Sequence, residues 1–111
     1  MMNMSRPIES QQDSSKMTEI LKAMSNTKRL QILHELVQNE ELSVSQLELL
    51  VSNLSQSAPS QHLGRLRRAK IVNTRRSSQT IFYSLVDEDV KMILRLLSSL
   101  YSEDPIIHQT H

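Results

Sequence analysis

The chain contains no cysteine, which removes structural disulfides, thiolate metal sites and thiol-based redox sensing together. It has one glycine and three prolines in 111 residues, and neither a GxGxxG nor a GxxxxGK pattern occurs. No Gly-rich loop can therefore cradle a phosphate, and nucleotide-dependent catalysis is not expected. Aromatic residues make up only 3% of the chain, so its core must be built from Leu, Ile, Val and Met, and a small aliphatic core is easier to complete with a second copy. No apolar run approaches the roughly 18 residues of a membrane helix, and Met1 to Pro7 lacks the apolar stretch of a secretory signal. A cytoplasmic location is the expectation. Acid is also missing locally: between Glu48 and Asp87 there is none, while Arg65, Arg67, Arg68, Lys70, Arg75 and Arg76 all fall there. A chain of net charge +1 thus carries a strongly polarised surface suited to phosphate.

What is present is helical for most of its length. Residues 1–13 are polar and unperiodic and read as a disordered N-terminal arm. The spacing of Met17, Ile20, Leu21 and Met24 predicts a first helix, and Ser25 and Asn26 offer caps for a second, with Leu30, Ile32, Leu33, Leu36 and Val37 as its buried side. Ser43 to Gln46 reads as an S-x-x-Q capping box opening a third helix that buries Val44, Leu47, Leu50 and Val51. Ser52 and Asn53 make a turn, after which Ser55 is expected to cap a fourth helix running to about Ala69, with Pro59 near its first turn. Two β-rich runs, 71–76 and 80–85, flank Ser77, Ser78 and Gln79 as a hairpin. Asp87 is suited to cap a last helix carrying Val90, Ile93, Leu94, Leu97, Leu100 and Tyr101, which Pro105 would stop. The fold class expected is mainly α (α+β): a winged helix-turn-helix of about five helices plus a two-stranded wing, spanning 14–103, with 104–111 as a mobile tail.

The fourth helix sorts by face. Ala58, Leu63, Leu66 and Ala69 turn inward, whereas Ser57, Ser60, Gln61, Gly64, Arg65 and Arg68 fall on the other side. Gln56, Ser57, Ser60 and Gln61 are short or amide side chains fitted to base edges in a major groove. His62 lies on the border between the faces. Arg65 and Arg68, with Arg75 and Arg76 on the wing, are expected at phosphate and sugar. Gly64 on the outer face suits close approach to a backbone. The apolar seam of the last helix is too long to bury in so small a domain, so Met17, Ile20, Leu21, Val90, Ile93, Leu94, Leu97, Leu100 and Tyr101 are expected at a homodimer interface. The partners expected are double-stranded DNA and a second copy, with no membrane.

The segments 21–33 (LKAMSNTKRLQIL), 54–67 (LSQSAPSQHLGRLR), 72–76 (VNTRR) and 80–83 (TIFY) together resemble the ArsR/SmtB family of bacterial regulators, over about Ser15 to Tyr101. The resemblance implies a homodimer that binds an inverted-repeat operator and represses transcription by occluding the promoter. It also implies where sensors would sit. Metal-sensing members use a Cys-x-Cys-type site on the third helix, which here reads Ser43-Val44-Ser45. Sulfur-sensing members use cysteines in the second and last helices, where this chain has His34 and the neighbourhood of Tyr101 and Ser102. Asp87, Asp89 and Glu103 fall where terminal-helix ligands occur, but Leu100 replaces the central histidine. Thiol sensing, a bound metal and any other cofactor are therefore not expected, and His108 and His111 read as tail residues. The competing class is a winged-helix module that contacts protein or RNA without specific DNA binding. No acid–base cluster suggests an enzyme.

Overall fold

The computed structural model describes residues 15–107. Five α-helices, a one-turn 3₁₀ helix and three short strands follow in the order α1 (Lys16–Met24), α2 (Thr27–Gln38), β1 (Leu42–Ser43), α3 (Val44–Leu50), the 3₁₀ turn (Leu54–Gln56), α4 (Pro59–Arg68), β2 (Val72–Ser77), β3 (Thr80–Leu85) and α5 (Glu88–Leu100). Side-chain caps start four of the helices. Ser15 accepts from the Thr18 amide, Asn26 from Arg29, Ser43 from Gln46 and Asp87 from Val90. At α3 the capping box is complete, because the Gln46 side chain also accepts from the Ser43 amide at 2.8 Å. Each cap satisfies a helix N–H that would otherwise lack a partner.

Ile32, Leu33, Leu47, Leu54, Leu63, Leu66, Ile71, Val51 and Val90 are fully enclosed. The core thus takes side chains from α2, α3, α4 and α5 and from the segments between them, with α2 running through its middle. The sheet has the order β1-β3-β2 and is antiparallel throughout. In the hairpin Ser77 pairs with Thr80, leaving the two-residue loop Ser78–Gln79, where Ser78 takes φ 59°. The third strand was not expected. Leu42 and Ser43 pair with Tyr83 and Phe82, and a strand only two residues long that also supplies the cap of α3 leaves no alternation to read.

Three expectations need correction. Helix α4 begins at Pro59, not at Ser55, which lies in the 3₁₀ turn. Proline has no N–H to satisfy and keeps the residue before it out of the right-handed helical region, so the helix opens at Pro59; Ala58, expected inward, is the exposed N-cap at φ 55°. The last helix ends at Leu100, ahead of Pro105, and Asp104 to Ile107, assigned to the tail, lie in hydrogen-bonded turns in which the Asp104 carboxylate accepts from the Ile106 amide. Finally, Ile20, Val90 and Leu94, expected at a dimer interface, are 8%, 0% and 6% exposed and belong to the protomer's own core. They sit on the inner side of α1 and α5, whereas Met17, Leu21, Leu97, Leu100 and Tyr101 remain exposed and Ile93 is half-buried. The expected arm (1–13) and the tail histidines His108 and His111 lie outside the described residues. No helix among the described residues is long and apolar enough to cross a membrane.

Candidate nucleic-acid interface

Helices α3 and α4 are joined by a turn that the sequence builds with three devices. Asn53 takes the left-handed conformation at φ 58°, which asparagine tolerates better than most residues. Leu54 drops into the core with no exposure. Lys28 of α2 donates from Nζ to the Ser52 carbonyl, fastening the turn to the body. Ser57 is fastened as well, its hydroxyl donating to the Leu54 carbonyl at 2.9 Å.

The rotation of α4 about its axis is set by Leu63 and Leu66, both fully buried. Burying each is worth about 2 kcal/mol, so exposing this side instead is prohibitive. The opposite side then presents Ser60, Gln61 and Arg68 to solvent, with Gln56 exposed just ahead of the helix. Arg67 and Lys70, which belong to the basic run but were not assigned a contact, are exposed beside them. Arg65 is partly covered and lies 4.0 Å from Glu19 of α1, its side chain 26% exposed. At Gly64 an added Cβ would meet nothing nearer than the Arg68 guanidinium at 3.4 Å. The protomer itself therefore does not require glycine there.

His62 is half-buried between the faces, with Nδ1 3.4 Å from Nη1 of Arg29 on α2. A guanidinium only donates, so Nδ1 is the acceptor of this contact. Burial first, then the positive charge of Arg29 and more weakly that of Lys28, push the imidazole below its usual range, against a hydrogen bond with the Ser57 backbone. Arg29 is anchored by Nε donation to the Ala23 carbonyl at the end of α1, and burial together with nearby Arg65 lowers its own pKa. His62 is thus a packed residue touching α2, and Arg29, which the sequence did not single out, is its holder.

The wing separates its two arginines. Arg76 donates from Nε to the Ser78 carbonyl at 3.1 Å, which fixes its guanidinium at the hairpin tip. Arg75 instead lies 4.9 Å from the Phe82 ring centroid and forks onto Glu41, with Nε 3.0 and 3.2 Å from the two carboxylate oxygens and Nη2 2.7 Å from Oε2. This pairing lowers the Glu41 pKa and raises that of Arg75. Glu41 carried no signal in the sequence, because the pair joins residues 34 apart. Among the described residues no group of three or more His, Asp or Glu side chains could hold an ion.

Comparison with known proteins agrees with this geometry. Residues 26–74 match the family described as "Bacterial regulatory protein, arsR family". The transcriptional activator HlyU of Vibrio cholerae is 50% identical over 95 residues, covering 86% of each chain. Its solved structure superposes with a TM-score of 0.69 over 82% of this chain and 97% of that one, at 49% identity. The transcriptional repressor BigR of Xylella fastidiosa gives a TM-score of 0.72 at 30% identity, over 89% and 97% of the two chains. A homodimeric winged helix-turn-helix DNA-binding domain of Mb0332 from Mycobacterium bovis, solved by NMR, gives 0.68 at 28% identity, over 100% and 99%. With a winged helix-turn-helix fold, a polarised α4 and these relatives, the chain belongs to the ArsR family of transcriptional regulators, in the branch that includes HlyU and BigR.

Proposed function

We propose that this regulator is a homodimer that represses transcription by occupying an inverted-repeat operator, with α4 of each protomer in successive major grooves and no thiol-based sensing. The observation that carries the reading is the division of α4. One side is locked inward by Leu63 and Leu66, and the other runs from Ser60 and Gln61 at its N-terminal end to Arg65 and Arg68 at its C-terminal end, in a stretch without any acid. Entered N-terminus first, such a helix brings Gln61, Ser60 and the preceding Gln56 to base edges, where an amide can grip adenine with two hydrogen bonds. Arg65 and Arg68 then meet the flanking phosphates, and Arg76 reaches the backbone from the wing tip. Gly64, which the protomer does not need, leaves room for a close sugar–phosphate approach. Two such heads about one helical turn apart read a palindrome, and the exposed side chains Met17, Leu21, Leu97, Leu100 and Tyr101 offer the seam that would join them. Repression is the role named for BigR, while HlyU is named an activator.

The test is binding of the full chain to duplexes selected from a random-sequence pool. Selected sites should contain inverted half-sites, and log affinity should fall steeply with log salt. Gln61→Ala should cut discrimination at one base position by about tenfold or more. Arg68→Ala should weaken binding to all sequences evenly. Selection that yields no common site, or discrimination untouched in Gln61→Ala, overturns the reading.

A further inference from the structure

Arg75 and Arg76 are adjacent in β2, so their side chains leave opposite faces of the sheet. Only one of them can lie on the Phe82 side. Arg75 is paired directly with Phe82 in the β2–β3 register, and Phe82 is paired on its other side with Ser43 of β1. The order β1-β3-β2 therefore sets Arg75 on the far strand and Glu41 just ahead of the near one, with Phe82 between them. Arg75 spans this width by lying over the Phe82 ring and closing a three-contact fork on Glu41. One side chain thereby ties β2 and β3 to the residue that leads into β1. Surface ion pairs contribute little to stability, so the consequence lies elsewhere. The fork fixes the wing relative to the body that carries α3 and α4, and it occupies the carboxylate-matching face of a guanidinium that would otherwise be free for phosphate.

We propose that Glu41 is a specificity-determining residue: its fork on Arg75 sets the pose of the wing and withholds one cation from DNA, leaving Arg76 as the wing's phosphate contact. This rests on the DNA-binding reading above. A cation offered to any duplex adds affinity without sequence information, so sequestering Arg75 lowers non-specific binding while the pose it maintains favours the operator. Glu41 touches no base or phosphate in this account and acts through the wing.

Salt titrations of the full chain, on a selected operator and on a scrambled duplex, separate the roles. Each phosphate contact contributes about 0.9 to the slope of log affinity against log salt on B-form DNA. Glu41→Gln should free Arg75, steepen the slope by about 0.9 per protomer, tighten scrambled-duplex binding and shrink the operator-to-scrambled ratio. Arg75→Gln should lower operator affinity severalfold at an unchanged slope, because it loosens the wing without removing a phosphate contact. Arg76→Gln should flatten the slope by about 0.9 per protomer. Unfolding midpoints measured in parallel establish that each variant is folded. A slope that flattens in Arg75→Gln as much as in Arg76→Gln, or that stays the same in Glu41→Gln, overturns the proposal. Wild-type protein that binds no duplex would instead overturn the underlying DNA reading, so the two failures are distinct.

Discussion

His62 stands within the helix that carries the proposed reading face, yet burial and the neighbouring Arg29 favour a neutral, packed side chain. Its folded pKa lies below the unfolded value of about 6.5, so the unfolded chain takes up the proton more readily. Stability from this site is therefore complete above the unfolded pKa and is lost as pH falls from there through the folded pKa. A second proton on the imidazole is placed beside Arg29 and, more weakly, Lys28, and the Ser57 backbone hydrogen bond offsets only part of that repulsion. Replacing His62 by Gln keeps a polar side chain of similar reach and deletes the titration. The melting temperature of His62→Gln should then fall less than that of the wild type between neutral pH and pH of about 5, as followed by circular dichroism. Equal falls would show that the acid sensitivity of this region arises elsewhere. The sequence placed His62 on the border of two faces but gave no reason to prefer packing. That reason is Arg29 on α2, 33 residues away in the chain.

At the scale of elements, α4 ends on a Schellman motif that lacks its usual glycine. The Ile71 amide donates to the Leu66 carbonyl and the Lys70 amide to that of Arg67, while Leu66 and Ile71 pack together in the core. The residue at the left-handed position is Lys70, at φ 62°, where a side chain costs about 1 kcal/mol relative to glycine. Lys70→Gly should raise unfolding stability by about that amount, shifting the denaturant midpoint without changing the m-value. The same change should weaken binding to every duplex, since it removes a cation from the basic run. A loss of stability would mean that the Lys70 side chain makes packing contributions larger than its backbone strain. Elements that declared themselves in sequence did so through local chemistry: the Ser43–Gln46 box and the Asp87 cap each depend on residues three positions apart, and the hairpin on two β-rich runs flanking one short turn. The start of α4 was misplaced because Ser55 offered a cap while the stronger local rule was Pro59 acting on Ala58. β1 was invisible because its partner, β3, is 40 residues away.

For the whole molecule, the proposed dimer seam runs along the outer faces of α1 and α5. Met17, Leu21, Met92, Leu96, Leu100 and Tyr101 are each more than half exposed on the protomer, an apolar area that a small soluble domain rarely leaves uncovered. Their neighbours Ile20, Val90 and Leu94 already fill the protomer's core, so substitutions along one helix should separate folding from assembly. Val90→Asp puts a charge where there is no exposure at all and should unfold the protomer. Leu100→Asp, at a position 63% exposed, should leave the circular dichroism spectrum intact but place like charges at or near a twofold seam. Sedimentation equilibrium should then give a mass near 12.8 kDa in place of twice that value. Because each half-site is held weakly without its linked mate, operator affinity should fall by about 10²-fold or more while the reading face of each protomer stays whole. If Leu100→Asp sediments as a dimer with wild-type operator affinity, the seam does not run through the end of α5, and the outer face of α1 with the middle of α5 would have to supply it.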